Sequence, residues 1–344
     1  MTAKTLKEIA AETGVSASMV SLVLHDRVGV GKENRGRIAQ ALRANGYRIQ
    51  KGPRSGETGS LCFLKFSLHG MLVNGNPGFV NAIIDAVEKE SSARGYSLVM
   101  TNMDERTMPA VLAGLAEHPP SGVILLGTEL DARHLPLIGA ISAPFVIVDS
   151  PMEFERCACV TMNNQDAICE AVGYLARLGH PAIGFLANAV PGGNCLSRRN
   201  AFERAVRLLG RPFDPGLIYS VSPTMEGAYQ SVRALLEQGT TFPSALVANN
   251  DSIALGAVKA FREAGLRVPE DIAIIGFDDI GFSAIADPPL TTMRVSCAAI
   301  GQLTVRLLCD RIADPSQPLI KLQVCPDLIV RQSTCAYAPE RANP

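Results

Sequence analysis

The sequence contains no run approaching the eighteen or so consecutive apolar residues needed for a membrane-crossing helix, so no membrane partner is expected. Its first residues, MTAKTLKEIAAETG, lack the apolar core of a secretory signal, and a cytoplasmic location is expected. Enzymatic signatures are also missing. The five histidines, at 25, 69, 118, 134 and 180, form no HExxH; no GxGxxG or GxxxxGK[ST] follows a strand, and nothing resembles a nucleophile elbow. Gly192 and Gly193 in PGGN are the faint exception, as a loop able to approach a phosphate. Neither an enzyme nor a cofactor is expected. Nine cysteines are scattered, with only Cys157 and Cys159 close together and no histidine nearby to complete a zinc pattern. They read as mostly buried thiols of a reducing compartment, with no metal site.

What is present begins at Leu6. LKEIAAE and SASMVSLVL carry apolar residues at helical spacing on either side of TGV. Gly14 supplies a backbone able to turn without strain, and Ser16 is placed to cap the second helix. Two helices this short cannot bury their stripes alone. A third is expected in KENRGRIAQALRANGY, with Ile38, Ala41 and Leu42 inward and Gly46 as a stop signal. Such a unit presents the start of its second helix to the DNA major groove while basic side chains hold phosphates. The charge agrees: residues 1–60 hold ten Lys and Arg against five Asp and Glu, whereas the remainder holds 22 against 28. The competing reading is a merely solvated basic face.

After the Gly-, Arg- and Ser-rich linker RIQKGPRSGET, strands and helices alternate from Leu61. The strands are short and almost continuously apolar, as parallel strands covered on both faces should be. Two such series predict two open-sheet subdomains, with ligand binding beyond the carboxyl ends of the strands. Polar residues gather at those ends: Asp149 after FVIV, Asn249, Asn250 and Asp251 after ALVA, Asp278 and Asp279 after IIGF. Helix capping is the alternative for each, with even weight for Asp251. The paired Asp278 and Asp279 need an ordering partner or a donor-rich ligand, and Arg198 or Arg199 is placed to share that duty.

These residues resemble one family over nearly the whole chain, the lactose/galactose-repressor type of bacterial transcription regulator. The motifs are TLKEIAAETGVSASMVSLVLH at the head and NPGFVNAI, LGHPAIGFL, RRNAF, NNDSIALGAVKAFREAGLRVPEDIAIIGFDD and PPLTT in the body. The resemblance implies an α/β chain with an N-terminal helix-turn-helix head and two open parallel-sheet subdomains of periplasmic-binding-protein type I. The division expected is a head over 1–48, a linker over 49–59, a first subdomain over 60–162 and 293–322, and a second over 163–292 and 323–338. It further implies a homodimer on a near-palindromic double-stranded operator, acting as a repressor under a sugar-like effector. The alternative is a sensing module with weak or non-specific DNA binding. No leucine heptad closes the tail, so a dimer is the default.

Carried across by resemblance, the DNA-contacting residues are Thr5, Ser16, Ala17, Ser18, Ser21, Leu22 and His25, with Arg48, Lys51 and Arg54 on phosphates. Leu22 stands where relatives commonly carry arginine and offers only apolar contact to a thymine methyl, so an unusual operator is expected. KGPRSG replaces the family's hinge-helix leucine, which argues against minor-groove intercalation. For the effector, the resemblance implies Asn76, Phe79, Asp149, Arg198, Asn250 and Asp278, with carboxylates and arginine on hydroxyls and Phe79 against the ring. Core packing is the alternative for Phe79. Met162 replaces a usual aspartate, which widens the expected effector to another polyol, a nucleoside-like molecule or a phosphorylated sugar.

Overall fold

The computed structural model describes residues 4–24, 30–47, 59–139, 141–153 and 155–339. Three helices form the head: α1 (Leu6–Thr13), α2 (Ala17–Leu24) and α3 (Lys32–Ala44). Thr5 starts α1 with a reciprocal cap, its hydroxyl accepting from the Glu8 amide while the Glu8 carboxylate accepts from the Thr5 amide at 2.7 Å. Gly14 then ends the helix at φ +67°, a left-handed conformation that strains any residue with a Cβ. Ser16 Oγ accepts from the Met19 amide at 3.3 Å, the cap that its position predicts. Ile9, Val20, Val23, Ile38 and Leu42 close the core. Cross-links reinforce it: the Arg37 guanidinium donates to the Thr13 carbonyl, and the Tyr47 hydroxyl donates to the Lys4 carbonyl at 2.9 Å.

The first lobe begins with β1 (Ser60–Phe66), α4 (Pro77–Ala93), β2 (Ser97–Met103), α5 (Met108–Glu117), β3 (Gly122–Leu126), the short α6 (Leu135–Ile138), β4 (Phe145–Val148) and β5 (Cys159–Met162). The second follows with α7 (Asn164–Arg177), β6 (Ile183–Asn188), α8 (Gly193–Leu208), β7 (Ile218–Val221), α9 (Met225–Glu237), β8 (Ala245–Ala248), α10 (Asp251–Glu263), β9 (Ala273–Asp278) and β10 (Thr291–Arg294). Helix α11 (Cys297–Ala313) then returns to pack on α4, where Gly301 lets its backbone meet Ala86 and Val87. Strand β11 (Lys321–Val324) pairs with β5, and β12 (Asp327–Ile329) runs antiparallel to β10.

The sheet orders are β11-β5-β4-β3-β1-β2 and β12-β10-β9-β8-β6-β7. The chain therefore passes between lobes three times: after β5, after β10 and after β11. The last two passages lie beyond Arg294 and Val324, a few residues after the expected boundaries at 292/293 and 322/323. The reason is pairing: all of β10 hydrogen-bonds to β9 and all of β11 to β5, so neither strand is divided.

The strands are nearly solid apolar runs, buried throughout in β3, β4 from Val146, β5, β8 and β9. Edge strand β2 departs from this, exposing Val99 and Met100. None of the nine cysteines is in a disulfide, and of them Cys62, Cys157 and Cys159 are buried; Cys325 is exposed and the rest are intermediate, so burial is less complete than expected. Among the described residues, no helix is long and apolar enough to cross a membrane, and no group of three His, Cys, Asp or Glu is arranged to hold a metal ion.

Candidate functional site

The carboxyl ends of both sheets face one another, and a buried polar network spans the gap. On the first lobe stand Thr128 after β3, Asp149 after β4, Thr161 in β5 and Asn76 at the start of α4. On the second stand Asn164 opening α7, Asn194 and Arg198 in the first turns of α8, Asn249 after β8 and Asp278 ending β9. Arg198 Nε donates to Asn164 Oδ1 at 2.8 Å and its Nη1 to the Asn249 carbonyl at 2.7 Å. Its guanidinium carbon lies 3.6 Å from the centre of the Phe277 ring, a cation–π contact. Asn76 Nδ2 reaches across the lobes to Asp278 Oδ2 at 2.6 Å.

Asp278 Oδ1 is buried without a hydrogen-bond partner, with Arg198 Nη2 at 3.7 Å. Burial pushes the Asp278 carboxyl up to about 8; Arg198 opposes this, while Asp251 and Asp149 add to it. Burial raises Asp149 to about 6, against donation from Thr128, the charge of Arg198 and donation from Asn194. Asp149, Asp278 and Asp279 all take positive φ, at 61°, 105° and 58°, a conformation costly outside glycine. The neighbouring Asp279 pairs instead with Arg331 at 2.7 Å.

Beside this network opens a cavity of about 560 Å³. The first lobe contributes residues 129–131, 133, 150–153 and 155, together with Leu68, and the second contributes 187–193, 195–197 and Arg199. Its floor is continuous with the network, because Ser150, Gly193 and Ser197 lie next in sequence to Asp149, Asn194 and Arg198. Gly193 suits this close approach: a Cβ there would sit 3.1 Å from Ser150 Oγ and 3.2 Å from Pro151 Cδ on the other lobe, tighter than ordinary contact.

Glu129 holds the adjoining wall. Its buried carboxylate accepts five backbone N–H groups, from Leu68, His69 and Gly70 on one oxygen and Leu72 and Val73 on the other, at 2.7–3.0 Å. Burial alone would raise its pKa, but the amides of Val73, His69, Gly70 and Leu72 together hold it below the usual glutamate value. The loop so fixed leads directly to Asn76.

Of the six expected effector residues, the structure brings Asn76, Asp149, Arg198 and Asp278 into the network. Phe79 packs in the apolar core of the first lobe at 6% exposure, the alternative weighed for it, because its helix turns that face onto the sheet. Asn250 caps α10, its side chain accepting from the Ile253 amide at 2.9 Å. Asp251 caps nothing. It is fully buried and accepts from the Ser283 and Thr292 hydroxyls, each at 2.6 Å, and from the Ile280 amide at 3.0 Å. None of the six lines the open cavity itself. Asn164, Asn194 and Glu129 went unnoticed in the sequence; only the place of Asn194 just after PGG, where a helix opens toward the strand ends, signalled it.

In the head, Ser16, Ala17 and Ser18 are exposed at the front of α2, with Ser21 and Leu22 half-buried behind them. Thr5 is exposed and engaged in its cap. His25, Arg48, Lys51 and Arg54 lie outside the described residues, as does most of the linker.

Residues 5–50 match the family described as bacterial regulatory proteins, lacI family, and residues 172–334 match a periplasmic binding protein-like domain. The HTH-type transcriptional regulator reg1 of Streptomyces lividans is 30% identical over 359 residues, covering 98% of this chain and 99% of that protein. This chain is a member of the LacI family. The HTH-type transcriptional regulator MalR of Streptomyces coelicolor is likewise 30% identical over 355 residues, with 98% and 99% covered. Among solved structures, the transcriptional regulator CelR–cellobiose complex superposes with a TM-score of 0.72 at 26% identity, over 96% of this chain and 99% of that one. The lac repressor dimer bound to operator and the anti-inducer ONPF shares the fold, with a TM-score of 0.71 at 22% identity over 97% and 99%. The LacI-family chain is thus a DNA-binding transcriptional regulator, as are these relatives, and its polar network and cavity lie between two lobes of periplasmic-binding type.

Proposed function

We propose that this LacI-family regulator is a cytoplasmic homodimeric repressor, whose heads bind a near-palindromic operator and whose interlobe cleft takes a sugar or sugar derivative. One observation carries the effector assignment: buried Asp278 Oδ1 has no hydrogen-bond partner and faces the donor-only Arg198 Nη2 across 3.7 Å. A ligand hydroxyl placed against both accepts from the guanidinium and either donates to the ionised carboxylate or accepts from the protonated carboxyl, a versatility that a pure donor or a pure acceptor lacks. The relative whose structure holds cellobiose supports the same class.

Operator reading is assigned to Ala17, Ser18 and Leu22, with Thr5, Ser16, Ser21, His25, Arg48, Lys51 and Arg54 as further contacts. Residues 1–48 form the DNA-binding unit and 49–59 the linker. Val99 and Met100 on edge strand β2, with Phe282 and Ile285 on the second lobe, are exposed apolar surface suited to a second copy of the chain. An effector acts on DNA binding only through its difference in affinity for the two arrangements of the lobes.

The test is selection from a randomised duplex library by the purified full chain at about 0.15 M salt, where non-specific phosphate binding is weak. An enriched two-fold symmetric site is expected. That site then serves in a screen of mono- and disaccharides by thermal shift, where a ligand at about 100 times its Kd stabilises by about 2.7 kcal/mol. No enriched sequence refutes the operator reading, and no stabilising sugar refutes the effector class.

A further inference from the structure

Asn194 lies one residue beyond the glycine pair and is buried, and its side-chain amide uses its full hydrogen-bonding capacity, three of its four bonds crossing to the first lobe. Nδ2 donates to the Asp149 carbonyl at 3.0 Å and to Asp149 Oδ1 at 2.9 Å. Oδ1 accepts from Asn164 Nδ2 at 2.9 Å and from the Thr161 hydroxyl at 3.3 Å. The direction of these bonds is forced. Arginine only donates, so Arg198 Nε fixes Asn164 with its oxygen toward α8 and its NH₂ toward Asn194. Asn194 must then turn its oxygen to Asn164 and its own NH₂ to Asp149. A head-to-tail chain runs from Arg198 through two amides to Asp149, each member polarising the next.

We infer that Asn194 is the positioning residue of the cleft, a directional latch that holds Asp149 of the first lobe in fixed relation to Arg198 of the second. The inference rests on reading the cleft as the effector site, since those two side chains are its charged recognition groups. It names the residue through which closure of one lobe on the other is set. The role demands an amide: alanine offers nothing, and an ionised carboxylate of the same shape accepts from Asn164 and Thr161 but cannot donate to Asp149. The ionisable groups facing the latch are Asp149 from the end of β4 and Arg198 and Cys195 from α8, with Asp278 of β9, Asp251 of α10 and Cys297 of α11 beyond them.

The experiment is hydrogen exchange of the full chain, wild type, Asn194→Ala and Asn194→Asp, at about pH 7.5 and about pH 5.5, corrected for intrinsic exchange and without effector or operator. The seam peptides are those covering 149–153 and 190–196; strands β3 and β8 are the internal reference. Asn194→Ala is expected to speed seam exchange roughly tenfold or more at both pH values, with the reference strands unchanged. Asn194→Asp is expected to match alanine at the higher pH and to regain protection at the lower, where a proton restores a donor toward Asp149. The wild type at both pH values controls for titration of Asp149 itself. Equal behaviour of the two variants at both pH values, or acceleration spread equally over β3 and β8, overturns the latch. Should Asn194→Ala not fold, Asn164→Asp keeps the bond from Arg198 and removes the donor to Asn194; a smaller acceleration centred on 190–196 supports the latch, and none overturns it. Because no sugar enters the measurement, failure of the sugar screen leaves it intact, and its own failure leaves the effector assignment standing.

Discussion

Replacing Glu129 by glutamine keeps the shape of the side chain and removes the reason for its burial. The carboxylate accepts three amides on one oxygen and two on the other. A glutamine retains one acceptor oxygen and turns an NH₂ toward the remaining donors, so two or three N–H groups lose their partner. Hydrogen bonds to a charged group are worth about 1.5–3 kcal/mol each, and an abandoned buried donor costs about 1–3 kcal/mol. Residues 68–71 reach water and recover part of this, whereas Leu72 and Val73 are buried and cannot. The expected loss is about 3 kcal/mol, which at roughly 2–4 °C per kcal/mol lowers the first melting transition by about 6–12 °C. The assay is calorimetry of Glu129→Gln beside wild type, with exchange protection at 68–73 as the local readout. The sign with pH follows from the direction of the shift. Glu129 is held below its ordinary value, so its stabilisation is full above the unfolded pKa and disappears as pH falls through the folded one. The melting difference between the two proteins should therefore shrink on acidification below about pH 4. A difference under about 2 °C at neutral pH, or one that ignores acid, refutes the assignment of this loop's order to the carboxylate.

Asp278 runs in the opposite sense. With its folded pKa raised to about 8, the native state holds a proton that the unfolded state releases near 4, so its contribution to stability declines as pH rises from about 4 to about 8. Asp278→Asn should flatten that limb of a stability–pH curve, and an unchanged slope argues against a raised pKa. Ile38, fully buried in the head, should cost about 2–5 kcal/mol as Ile38→Ala. Operator binding is expected to be lost while the lobes melt as in wild type; retained binding would show that the head core is held elsewhere. Ser18→Ala should change base preference at one position of each half-site by about 1–3 kcal/mol, whereas Arg54→Ala should weaken all sequences alike and reduce the salt slope by about 1. Equal losses on every duplex for both variants contradict that division.

The sequence by itself determined everything that depends on neighbours along the chain. Helical spacing in the head, Gly14 in a left-handed turn, Ser16 as a cap and the solid apolar strands all rest on local periodicity and local backbone sterics. TLKE also encoded its capping box at Thr5 and Glu8, a spacing easily overlooked beside the DNA-binding motif. The family motifs pointed to Asn76, Asp149, Arg198 and Asp278, which meet in one polar network because strand ends in this topology converge. Tertiary structure alone decided which polar residue joins the interlobe network and which supports a helix or loop. Asn250 and Asp251 are adjacent in sequence, yet one caps a helix and the other is buried among Ser283, Thr292 and Ile280, partners about thirty to forty positions away. Phe79 suited a sugar ring as well as a core position, and only the packing of its helix face into the first-lobe core decided between them. Glu129 carries no local signature at all, and Asn194 only its place after the glycine pair. A carboxylate that gathers five amides, and an amide whose direction is dictated by an arginine through a second amide, exist only once segments distant in sequence meet away from water, where every buried donor and acceptor must find its match.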